Sequence, residues 1–163
     1  MLNAKRLVIL SLFIALSAVL ANIKIFSTIA FDSLPAFLAA MLISPLAGGV
    51  VGALGHLLSA FTSGFPLTVP MHLFIALQML IIVWFYGILF KKSNKYVAML
   101  IAIILNGPVA TYLSGVLISF MDEAFTVNSF FTLMVLPLTL VSAINIVLAF
   151  ILQKVMKRAR IEL

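Results

Sequence analysis

Cysteine is absent from the 163-residue chain, which excludes disulfides and thiolate metal centres. Charge is scarce. Asp, Glu, Lys and Arg together make up 9% of residues, where a soluble domain uses roughly a quarter. No Gly-x-x-x-x-Gly-Lys-Ser/Thr phosphate loop occurs, so any ATP-driven work needs another subunit. No His-Glu-x-x-His occurs, and no buried acid completes a triad with His56 and the nearby hydroxyls of Ser59, Thr62 and Ser63. His56 and His72 are assigned to different helices at different depths, too few and too far apart for a metal. The reading is therefore of a protein that is not an enzyme, with no catalytic residue, cofactor or metal. No charged residue sits at the centre of an apolar run, which argues against a proton pump, a voltage sensor or a carboxylate-ringed channel. A neutral or nearly neutral organic ligand fits better.

What the chain has is hydrophobicity: 65% apolar residues and a mean hydropathy of +1.33. The bilayer is the solvent for most of it. Six spans at about 20 residues each take about 120 residues, leaving too few for a soluble domain. Charge clusters and Pro/Gly punctuation divide the chain at about Leu7–Ile25, Leu34–Ile43, Leu46–Phe61, Val69–Phe90, Tyr96–Ser119 and Phe130–Lys154. Ser44-Pro45 and Gly48-Gly49 break residues 34–61 into a tight helical hairpin, with one long kinked span as the competing form. The expected fold is all-α, a single domain over residues 1–163 forming a multi-pass bundle of six transmembrane helices in the cytoplasmic membrane.

The net charge of +6 reports orientation, not nucleic acid. Nine of ten basic residues fall in three clusters, at 5–6, 91–95 and 154–160. Four spans separate the first two clusters and two separate the last two, so all three can be cytoplasmic and both termini inside. A single kinked span over 34–61 would break this parity. Lys5-Arg6 and the apolar run after them also resemble a signal peptide; the segment is read as a retained first span. Trp84, Tyr86 and Tyr96 flank the lysine loop as an interfacial aromatic belt.

Polar side chains inside apolar helices turn to the bundle interior or to a cavity. His56, His72, Gln78, Asn106, Tyr112 and Asn145 come from several helices and cluster between mid-depth and the outer face. Asn145, about 13 Å from the inner end of its helix, is the deepest for such a site. They outline an apolar pocket with a few convergent polar groups; helix–helix hydrogen bonding is the alternative role for each. Loops at 22–33, 62–70 and 119–129 add Lys24, Asp32 and Phe65 as candidate ligand contacts, with Phe31 or Phe65 able to stack on a ring. The first span carries small residues at i, i+4 spacing, Ser11 with Ala15 and Ser17 with Ala21, which permits close approach of another helix.

The run Phe31-Asp32-Ser33-Leu34-Pro35-Ala36, then residues 46–60 from Leu46-Ala47-Gly48-Gly49 to Gly55-His56-Leu57-Leu58-Ser59-Ala60, then Gly64-Phe65-Pro66-Leu67, resembles the second and third helices and third loop of the substrate-binding S-components of energy-coupling factor (ECF) vitamin transporters. The likeness extends over nearly the whole chain. In the family's usual Ala-xxx-Ala motif on helix 1, Ser11 stands in the first place and Ala15 in the second. The resemblance implies capture of a vitamin outside, docking through the Ser11/Ala15 face onto an ECF module of one membrane coupling subunit and two ATPases, and toppling of the S-component to release its cargo inside. It also implies a pocket lined by the later helices and capped by loops. Residues 55–67 with Pro70-Met71-His72 look most like the subgroup for α-ribazole, the nucleoside of the cobalamin lower ligand. Its flat benzimidazole could stack on Phe65 or Tyr112, and its ribose hydroxyls need groups such as Asp32, Gln78 or Asn106. Other readings are an S-component for another vitamin such as pantothenate, with Lys24 as its cation, a structural membrane protein without ligand, and a facilitator working without ATPases.

Overall fold

The computed structural model describes residues 4–26 and 29–160, with backbone alone at 24–26 and 29. Six helices follow in order: α1 Ala4–Leu20, α2 Leu34–Leu42, α3 Pro45–Thr62, α4 Val69–Lys92, α5 Lys95–Met121 and α6 Val127–Arg158. Lys24–Phe26 and Ile29–Ala30 form a small antiparallel ribbon between α1 and α2. α1 therefore stops short of the Ile25 expected from hydropathy, because Ile23, Ile25 and Phe26 extend the apolar run into a segment that pairs as strand. Four helices, α3 to α6, are long and apolar enough to cross a membrane.

The helix ends have local causes. Ser44 and Thr68 accept hydrogen bonds from Ala47 N and Met71 N, and each is followed by proline in the first turn. Asn94 accepts from Tyr96 N and Val97 N at the start of α5. Thr126 and Ser129 close a reciprocal cap on α6, three residues before the expected start at Phe130.

Residues 34–61 form the hairpin, not the long kinked helix. A Cβ on Gly48 would overlap Ala40, and one on Gly52 would meet Ala36. The residue numbers fall on one strand as they rise on the other, so α2 and α3 pack antiparallel. α2 is nine residues, about 14 Å, and too short to cross the ~30 Å hydrocarbon core alone. Every residue from Leu34 to Met41 is buried. It forms the centre of the main apolar core with Val51, Val83, Tyr86, Phe90, Ile146 and Phe150. Because α2 begins level with Gly55, whose Cβ position lies 3.9 Å from Asp32 O, the chain before it lies against the middle of α3. Irregular backbone at such depth is tolerated where protein or a cavity surrounds it.

The surface is as apolar as the core. Along α4, Leu73, Leu77, Ile81 and Trp84 make an exposed stripe at helical spacing, opposite buried Met79, Val83 and Phe90. A helix hydrophobic all round belongs in a membrane or a large core. Tyr86 does not join the aromatic belt. It is 1% exposed, donates its hydroxyl hydrogen to Met41 Sδ at 3.1 Å and meets the Phe37 ring edge-on.

Close approach of α3 and α4 depends on Gly49, where a Cβ would sit 2.6 Å from Leu80 O. That oxygen is backbone, so the helices themselves must separate. Gly49→Ala is expected to cost about 1–3 kcal/mol by overpacking, read by thermal unfolding in detergent. Gly52→Ala meets only ordinary contacts and is expected to be neutral or stabilising by up to about 1 kcal/mol from helix propensity.

Candidate functional site: a polar-lined cavity inside the bundle

Six of the nine side chains expected to touch a ligand meet at one cavity of about 300 Å³: Asp32, His56, His72, Gln78, Asn106 and Asn145. Ile75, Met79, Phe130, Met134, Leu138 and Val141 give it apolar walls. The volume lies at the lower end of small-molecule sites, and the mixture of apolar walls with a few polar groups is typical of them.

The two histidines are in contact, contrary to their expected separation in depth. His56 stands six residues before the end of α3 and His72 three residues after the start of α4. The short connection between antiparallel helices brings the two to one level. His56 Nε2 and His72 Nδ1 are 3.1 Å apart, and His56 Nδ1 is 3.7 Å from Asp32 Oδ2. The result is a row, Asp32–His56–His72, leading from the loop to the cavity. Among the described residues no three His, Asp or Glu side chains are grouped to hold a metal.

Asn145, the deepest of the expected contacts, lines the same cavity. Its Nδ2 donates to Ala30 O at 3.3 Å, and both residues are buried. The ribbon before α2 reaches down to it, which explains why a residue that deep lines the same cavity. Gln78 Nε2 donates to Ser114 Oγ at 3.3 Å, and Asn106 Nδ2 to Ser142 Oγ at 3.0 Å. Asn106 lies in a π-helical turn, Leu105–Val109, inside α5. Pro108 lacks the N–H for an α-helical bond and its ring crowds the carbonyl four residues back, so the helix widens by one residue there.

Three expected contacts lie elsewhere. Phe65 does not line the cavity. Its ring packs edge-on against His72, centroids 5.7 Å apart, and faces an outer groove with Phe61 and Leu73. Tyr112 is 52% exposed and touches Phe131 on the outer surface. The side chain of Lys24, like the hydroxyls of Ser27 and Thr28, lies outside the described residues. The loop at 119–129 contributes no cavity residue: Asp122 Oδ1 accepts from Ala124 N, and Thr126 caps α6.

Serines 33, 114 and 142, Thr111 and the Phe130 wall were not singled out by sequence. The usable signal was Gly107-Pro108 within an apolar run, marking a distorted turn beside Asn106. The small residues on α1 divide into two faces. Ser17 and Ala21 are buried, with Ser17 against Gly55, whereas Ser11 and Ala15 are exposed.

Comparison with protein families gives a match over residues 5–156 to the family described as ECF transporter, substrate-specific component. Neither the curated proteins nor the solved structures compared with the chain match it.

Proposed function

From the premise that this chain belongs to the ECF transporter substrate-specific component family, we propose that its cargo is α-ribazole. The family makes the protein a membrane-embedded substrate-binding subunit of an ECF importer, a transporter component that works with an ECF module on a small-molecule substrate. The observation supporting a nucleoside cargo is the cavity itself. Phe130 and Met134 offer a flat ring an apolar wall, while the polar groups of Asp32, His72, Gln78 and Asn145 stand where a ribose needs partners. Phe130 takes the stacking role that sequence gave to Phe65 or Tyr112. Pantothenate is the weaker candidate: among the described side chains, which do not include that of Lys24, no lysine or arginine lines the cavity.

The protein lies in the cell membrane with both termini cytoplasmic and six passes. The second pass consists of α2 in the inner half and the chain before it in the outer half. Support comes from Pro45 packing on Gly87, which sets the 43–44 turn at the same end of the bundle as the lysine loop. A cysteine introduced at position 64 is expected to react with impermeant maleimide from outside, and one at position 93 only after permeabilisation. The reverse pattern would overturn this orientation.

The exposed Ser11/Ala15 face docks on the coupling subunit, and the ATPases then drive release inside. The test is uptake by proteoliposomes holding this protein with its ECF module. ATP-dependent accumulation of α-ribazole is expected. Accumulation without the module would instead indicate a facilitator, and binding without uptake under any condition would contradict transport.

A further inference from the structure

Three polar groups of the cavity share one sense, while the hydroxyls of Ser114 and Ser142 can donate as well as accept. Asn145 is 1% exposed and uses its Nδ2 on the carbonyl of Ala30. A carbonyl only accepts, so this bond fixes which end of the amide faces it. Asn145 Oδ1 is left without a partner. Gln78, 7% exposed, donates to Ser114 Oγ and in this orientation leaves Oε1 unpartnered, though a hydroxyl pairs with either end of the amide.

The histidine row yields the same sense at its end. Asp32 Oδ2 lies 3.7 Å from His56 Nδ1, beyond hydrogen-bond length, and its negative charge favours a proton on that nitrogen. With that tautomer His56 accepts at Nε2 and the His72 proton occupies Nδ1; the opposite tautomer would reverse the row. His72 Nε2 is thereby a bare lone pair. It has no partner in a residue 5% exposed that lines the cavity. Among the described side chains, which do not include that of Lys24, Asp32 is the one Asp, Glu, Lys or Arg lining the cavity.

We propose that the cavity recognises its cargo as a hydrogen-bond donor: an uncharged or cationic molecule rich in O–H or N–H groups, with carboxylate and phosphate compounds excluded. This rests on the capture function proposed above and specifies its chemistry. A carboxylate would bring more acceptors to Asn145 Oδ1, Gln78 Oε1 and His72 Nε2, leaving all of them unpaired, and would add a like charge near Asp32. Ribose hydroxyls answer each of them.

Two measurements test it. The first needs no ligand. In ¹⁵N NMR of the protein in nanodiscs at about pH 8, above the ordinary histidine range, His72 Nε2 is expected to be unprotonated. The chain has two histidines, so the signals lost in His56→Gln assign the pair. A protonated His72 Nε2 would overturn the polarity argument. The second is calorimetry with α-ribazole, its 5′-phosphate, riboflavin, biotin and pantothenate. α-Ribazole is expected to bind at least about 100-fold more tightly than the phosphate, the scale on which a hydrogen-bonding site rejects a mismatched group, and the two carboxylates are expected to give no heat. Biotin, pantothenate or the phosphate binding as tightly would overturn the inference while leaving capture intact. Riboflavin binding in place of α-ribazole would uphold the inference and replace the named cargo. Silence from all five would overturn the capture function, with the NMR result still deciding the sense of His72.

Discussion

Tryptophan at position 15 is expected to abolish uptake while leaving ligand capture within about twofold of the unmodified protein, since distant sites couple weakly. Ala15 and Ser11 lie one turn apart on the exposed side of α1 and neither lines the cavity. Ser11 Oγ donates to Leu7 O at 3.0 Å, so its polar hydrogen is already used within the helix and the face can meet an apolar partner without penalty. Val8, Leu12 and Val19 flank it and are also exposed. Small residues let helix axes approach to the ~8 Å end of the usual range, and an indole forces them apart. Uptake in proteoliposomes and equilibrium binding on the same preparation separate the two effects. Loss of binding in Ala15→Trp would mean that this face packs internally, as Ser17 does against Gly55.

Asn145→Leu is the second large effect. The leucine removes a buried acceptor from the cavity and also the donor that holds Ala30 O. An unpaired buried carbonyl costs about 1–3 kcal/mol, which loosens the ribbon forming one wall. Binding of α-ribazole is expected to fall at least about 100-fold, about 2.7 kcal/mol, by calorimetry. Asn145→Asp keeps acceptor oxygens but turns one of them toward Ala30 O, so it separates anchoring from ligand contact. Full binding in Asn145→Leu would reduce Asn145 to a packing amide.

Much of this arrangement was legible in the residues, and the exceptions have physical reasons. Pro45, Pro70 and the Lys91–Lys95 cluster marked helix ends to within a few residues, because proline and charge are costly inside a span. The end of α1 falls before Ile25, in a stretch where hydropathy does not distinguish an apolar strand from an apolar helix turn. Depth counted along separate helices placed His56 and His72 apart and made Asn145 look deep for the site. It omits the antiparallel turn at 63–68 and the dip of the chain before α2, which only tertiary packing creates. Tyr112 and Phe65 suit an aromatic partner by residue type alone. Which side of a uniformly apolar helix faces inward cannot be read from periodicity when Leu73, Leu77 and Ile81 on the outside are as hydrophobic as the core.

The most direct test of the central claim is equilibrium binding to the purified protein, by native mass spectrometry, with α-ribazole beside riboflavin, thiamine, biotin, folate and pantothenate. One α-ribazole bound per chain, with none of the others retained under the same conditions, is the expected result. Retention of a different vitamin would contradict the named cargo, and no retention of any of the six would contradict capture by this cavity.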